Sequence, residues 1–316
     1  MRPLLHIPDG FLAPQVALAF WVASALVAVI ALRKIGRRTP AAATQTILMG
    51  LSGAFIFAAQ MFNFPVAAGT SGHLLGGVLA GFLLGPWAGS IVMTTVVGTQ
   101  ALLFQDGGLL ALGANIFNMG VIGSLGGSLL ARGTATALGG GRRATLFGIG
   151  LAAWLSVMAA AGVTTLQLGL SGTTDIGIGL PAMLGTHALI GVGEALISVA
   201  AVSFIAVTAP EIYSKSAPPT AVSWRRRVAV GLAVVGATAG AASLFASASP
   251  DGLERVATDL GFADQSAAAP FELFAGYSIP GLDGAQGGIV ASAIGVAAVI
   301  LVIVALTRLA ASRKES

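Results

Sequence analysis

Only 9% of the 316 residues are charged and 56% are hydrophobic, against about 25% charged in an ordinary soluble domain, which excludes a water-soluble globular chain. The absence of cysteine excludes disulfides and thiolate metal sites. The net charge of +4 raises nucleic acid as a partner, but in so apolar a chain the basic residues read as loop charges that set membrane topology.

The chain starts with a polar, tightly punctuated stretch, Leu5-His6-Ile7-Pro8-Asp9-Gly10-Phe11-Leu12. A first span over Phe11 to Leu32 follows and ends in Arg33-Lys34-Ile35-Gly36-Arg37-Arg38. Basic loops stay on the cytoplasmic side, so the N-terminus is expected outside. The second span, Thr44 to Phe62, returns outward to a small polar loop that leads to His73. Leu74 to Phe104 is then 31 residues without a charge. As one helix it would be about 46 Å long, too much for a hydrocarbon core of about 30 Å. Gly85-Pro86 breaks it, and counting two spans keeps the later basic loops inside. The first piece, Leu74 to Leu84, is too short to cross alone. His73 and its loop are therefore expected below the outer surface, where non-helical backbone is tolerated only when it is buried in protein or lines a cavity.

Further spans are expected over Leu109 to Leu130, Thr145 to Leu168, Ile178 or Pro181 to Val207, Val228 to Phe245 and Gly288 to Leu306. The fold class is all-α and polytopic, with about nine spans, the N-terminus outside and the C-terminus inside. Of 16 Lys and Arg, 14 fall on the cytoplasmic side of this arrangement, Arg2 and Arg255 being the exceptions. No cleavable signal is expected. Pro210 to Trp224 is Ser/Pro-rich and reads as a linker. The loop Ala246 to Gly284 carries six acidic residues against Arg255. It reads either as an attractor of cations or as an exposed, solvated loop.

Three histidines are present. His6 and His73 fall at outer ends of spans and are candidates to share a late first-row metal, or else are unrelated interfacial residues. Asn63, Asp9 and Asp106 are candidates to orient a liganding imidazole. Bonding to loop backbone is the other reading, preferred for Asn115 and Asn118. His187 and Glu194 lie seven apart on one helix face. They read as a polar pair locking helices, or as a proton-linked pair of a carrier. No Walker-type GxxxxGK[ST], no HExxH and no nucleophile–base pair occurs, so no enzyme activity is expected.

Three stretches carry a family resemblance: His6-Ile7-Pro8-Asp9-Gly10-Phe11-Leu12, Thr70-Ser71-Gly72-His73-Leu74-Leu75-Gly76-Gly77, and Leu180-Pro181-Ala182-Met183-Leu184-Gly185-Thr186-His187-Ala188-Leu189-Ile190-Gly191. With Phe104 to Gly120, they make the chain closely resemble the CbiM/NikM family of substrate-capture subunits in energy-coupling-factor (ECF) transporters. Ser249-Pro250-Asp251-Gly252-Leu253-Glu254 resembles the start of a PDGLE domain, an accessory module of two spans. The resemblance implies a seven-span capture domain over 1–208, a cytoplasmic linker over 209–227 and a PDGLE-like domain over 228–316. It implies import of Co²⁺ or Ni²⁺ across the cell membrane, with no cofactor. The implied partners are a CbiQ/NikQ-like coupling subunit and CbiO/NikO-like ATPases, with lipid around the spans and no nucleic acid. The alternative from another class is a self-sufficient secondary, proton-coupled metal carrier using Glu194.

The resemblance also implies the ligands. Family chains start Met-His-Ile-Pro-Asp-Gly. Their terminal amine, the deprotonated amide and imidazole of that His, and the His of TSGH form a square-planar nitrogen set. The matching positions are His6 and His73. Ligand deprotonation implies that affinity falls with acid. Here Met1-Arg2-Pro3-Leu4 precedes the motif and Leu5 stands at the family's initiator position. The expectation is that translation starts at residue 5, read as Met, whose main-chain amine is then a ligand.

Overall fold

The computed structural model describes residues 6–35, 42–67, 69–210, 224–269, 271, 273–282 and 284–312. Leu5, most of the 209–227 linker, Glu272 and Asp283 lie outside the described residues.

The fold is overwhelmingly helical. Helix α1 is Pro14–Ile35 and α2 is Ala42–Gln60. A small hairpin follows, with β1 (Phe64–Pro65) antiparallel to β2 (Ser71–Gly72) and Phe64 opposite Gly72. Helix α3 is the short Gly77–Leu84 and α4 is Pro86–Phe104. Between them Gly85 holds φ 89°, and Pro86 occupies the first helical position, where its missing N–H costs nothing. The expected break is therefore where the chain turns.

Helix α5 runs Leu112–Ala137 and contains a π-helical stretch, Phe117–Gly126. Helices α6 (Gly141–Leu170) and α7 (Ile176–Thr208) form a long antiparallel pair. The Asp175 carboxylate caps α7 by accepting the Gly177 N–H at 2.7 Å. Helix α8 is Trp224–Phe245, α9 is the short Gly252–Asp259 and α10 is Gly284–Ser312.

Among the described residues, seven helices are long and apolar enough to cross a membrane. They coincide with seven of the expected spans; the other two coincide with α2 and the short α3.

The segment after the linker does not stand apart. Ala291, Val299 and Ile303 of α10 share a buried core with Met49, Ile56 and Phe57 of α2 and Val92 and Val96 of α4. A second core joins Ile7 and Phe11 to Leu168, Met183, Leu253, Val256 and Phe262. The N-terminal segment is thus packed beneath the loop between α8 and α10. That loop departs from the solvated reading: Asp251 and Glu254 are both buried. The sequence shows only its acidity; long-range contacts with the hairpin and α7 remove its first turn from water.

Candidate metal site

Residues 6–12 are held by hydrogen bonds centred on Ile7 and Asp9. The Ile7 N–H donates to Asn115 Oδ1 at 3.0 Å, and Asn115 Nδ2 donates back to the Ile7 carbonyl at 3.0 Å. The Asp9 carboxylate accepts N–H groups from Leu109, Leu110 and Ala111 at 2.8–3.1 Å. These are donors at the entry to α5, where a negative charge is favoured. Gly10 sits at φ 91°, and a Cβ there would meet the Gln265 carbonyl oxygen at 2.1 Å. The Pro-Asp-Gly run after the first His is therefore a docking device. Asp9 serves the loop backbone.

This docking places His6 beside His73. Their ring centroids are 5.5 Å apart with planes at 78°. His6 is buried, and its Nε2–H donates to Gln100 Oε1 at 3.0 Å. His73 donates Nδ1–H to the Leu74 carbonyl at 3.1 Å, leaving Nε2 to carry the ring's lone pair. His187 likewise donates Nδ1–H to the Met183 carbonyl at 2.8 Å. Each imidazole has one nitrogen tied to an acceptor, which sets the other as the donor atom for a cation. All three rings line one cavity of about 90 Å³, with Asn115, Asn118, Met119 and Asp251 also in its wall.

Glu194 is fully buried and does not line this cavity. Its carboxylate accepts the Leu75 N–H at 2.6 Å and the Gly76 N–H at 2.9 Å. It thus anchors the backbone just after His73, while His187 bonds within its own helix. In these bonds the two residues have different partners. Among the described residues, Asn118 bonds side chains and not loop backbone. It forms a reciprocal amide pair with Gln167 at 2.9 and 3.0 Å and also donates to Thr164. Asp106 accepts the Tyr277 hydroxyl at 2.6 Å. The Asn63 side-chain oxygen has no hydrogen-bond partner among the described residues; its main-chain carbonyl takes the Ser247 N–H at 2.7 Å.

Two contributors escape the sequence reading. Gln100 is an uncharged amide in an apolar span, yet it is fully buried and holds His6. The criterion that singled out Asn115, a polar amide inside a span, points to it equally. Asp251 is the other. Its Oδ2 lies 3.9 Å from His73 Nε2. Burial pushes its carboxyl up to about 8, and the nearby Glu254 and Asp106 charges act in the same direction. Ionising it there is costly, and an adjacent cation offsets that cost. Burial, then Asp106, raises the Tyr277 hydroxyl well above its usual range and keeps it a donor. Among the described residues, no three His, Asp or Glu side chains gather closely enough to hold an ion by themselves.

Residues 6–212 match the profile of the cobalt uptake substrate-specific transmembrane region, CbiM. The chain belongs to the CbiM family. Residues 225–312 match the PDGLE domain. A chain of Archaeoglobus fulgidus that carries the name of a fused nickel transport protein, NikMN, is 35% identical over 97% of this chain and 99% of its own length. The cobalt transport protein CbiM of Streptomyces coelicolor is 38% identical over 38% of this chain and 51% of its own. A crystal structure of a transition metal transporter superposes with a TM-score of 0.58 at 31% identity, covering 70% of this chain and 99% of that one. This CbiM-family chain is a multi-pass membrane protein of a transport family and not an enzyme.

Proposed function

We propose that this chain is the substrate-specific membrane component of an energy-coupling-factor ABC transporter that imports cobalt or nickel ions. The observation that carries this reading is the pair His6 and His73, 5.5 Å apart between ring centroids in a cavity that the fold builds around them. In this reading His6 and His73 are ligands, and the His6 amide and the main-chain amine of residue 5 complete a planar nitrogen set. Nitrogen donors in a plane suit Ni²⁺ and Co²⁺ and disfavour hard ions such as Mg²⁺. Gln100 holds the Nε2 side of the His6 ring, which leaves Nδ1, the nitrogen nearer the main chain, as the ligand atom in this reading. Asp9 and Asn115 hold the chelating segment in place. Glu194 holds the turn just after His73.

In this reading the chain crosses the membrane nine times, with its N-terminus outside. Capture is assigned to residues 1–208, the cytoplasmic connection to 209–227 and the accessory function to 228–316. Energy comes from partners, a CbiQ/NikQ-like coupling subunit and CbiO/NikO-like ATPases. The test is uptake of Co²⁺ or Ni²⁺ in cells expressing the chain with and without those partners. Uptake is expected only when coupling subunit and ATPases are present. Full uptake without them overturns this reading in favour of a secondary carrier.

A further inference from the structure

Asp251 belongs to the PDGLE segment but reaches the cavity of the capture segment. Its two oxygens have separate tasks. Oδ1 caps α9 by accepting the Glu254 N–H at 2.8 Å. Oδ2 faces His73 Nε2 at 3.9 Å. Two atoms that ligate one first-row ion through bonds of about 2.1 Å stand roughly 3 Å apart when adjacent and roughly 4.2 Å when opposite. The observed separation falls within that range, so one ion can bridge the two atoms with little movement.

The approach is built into the backbone. The Ser71 N–H donates to the Pro250 carbonyl at 2.8 Å, and Ser71 Oγ donates to the Ser249 carbonyl at 2.7 Å. Ser71 is two residues before His73, so these bonds join the two loops next to the ligands they carry. On the far side Gly252 lies flat on His187: a Cβ there would come within 2.8 Å of the ring's Cε1. Any larger residue there would have to displace the His187 ring and the end of Ile190. Asp251 itself is only 4% exposed. A carboxylate so placed, with one oxygen directed at an imidazole nitrogen, is positioned to share a cation with that ring.

We infer that Asp251 Oδ2 and His73 Nε2 form an arrival site for the hydrated divalent ion, from which it passes to the nitrogen set at His6 and His73. This rests on the proposed metal-capture reading. The carboxylate is a hard oxygen donor that accepts an ion still carrying water, and nitrogen donors then hold Co²⁺ or Ni²⁺ more firmly. His73 is common to both positions, so the ion moves by exchanging one partner of that ring for another. The accessory segment thereby supplies a chemical group to the capture step.

The test is stopped-flow binding of Co²⁺ to the purified full-length chain. Asp251→Asn and Asp251→Ser both keep a good helix cap, so the fold and melting temperature are retained while the carboxylate ligand is lost. A ligand on the entry path speeds entry and exit alike. Both variants are therefore expected to slow association roughly tenfold and to slow dissociation by the same factor. Association at the wild-type rate overturns the inference. So does faster dissociation with unchanged association, which makes Asp251 a resident ligand. His73→Ala serves as the control for the underlying reading: wild-type binding by that variant removes the nitrogen site itself, whereas unchanged rates in the Asp251 variants remove only the arrival site.

Discussion

Replacing His73 with alanine lowers the affinity of the purified chain for Co²⁺ and Ni²⁺ by more than about a hundredfold, beyond the roughly 10–100-fold that supporting partners of a ligand are worth. The expectation rests on position. His73 presents Nε2 to the cavity, while its other nitrogen is tied to the Leu74 carbonyl. Loss of that bond costs about 1 kcal/mol, too little to unfold a chain whose cores lie elsewhere. Metal content after gel filtration and titration calorimetry give the readout, with the melting temperature as the check on folding. Wild-type metal content in the variant removes His73 from the site.

Glu194→Leu is expected to have the largest effect on stability. The carboxylate accepts two backbone N–H groups, from Leu75 and Gly76, in a fully buried setting. Leucine leaves both donors without their acceptor, at about 1–3 kcal/mol each. The loss is local to the turn between β2 and α3, so His73 loses its fixed position as well. The melting temperature and the metal affinity should therefore fall together. Glu194→Gln keeps one accepting oxygen and should lie between wild type and leucine on both measures. A leucine variant as stable as wild type contradicts the anchoring role.

Features that local pattern dictates are legible in the sequence. Apolar runs and their breaks reveal the helices, because lipid forces every spanning backbone group to bond within its own segment. Gly85-Pro86 marks the break between α3 and α4 for that reason. His6 and His73 stand out because imidazoles are rare in such a chain, and the structure places them side by side. Less legible is whatever depends on contacts distant in sequence. Asp251 and Tyr277 read as parts of an acidic, solvated loop, yet one faces His73 and the other donates to Asp106. No periodicity encodes a contact across some 170 residues of sequence. Gln100 is as visible as Asn115, an amide inside a span, but nothing local in the sequence pairs it with His6, 94 residues away. Glu194 is visible as a buried acid, but its partners are backbone N–H groups, which any residue supplies.

Nitrogen donors in a plane, two of them imidazoles, are what the proposed capture of Co²⁺ or Ni²⁺ requires of this cavity. X-ray absorption at the nickel edge, on the full-length chain loaded with one equivalent of Ni²⁺, reads that geometry without a mutation. The expected spectrum is four-coordinate and square-planar, with nitrogen neighbours and imidazole scattering from His6 and His73. A six-coordinate spectrum dominated by oxygen neighbours would contradict it.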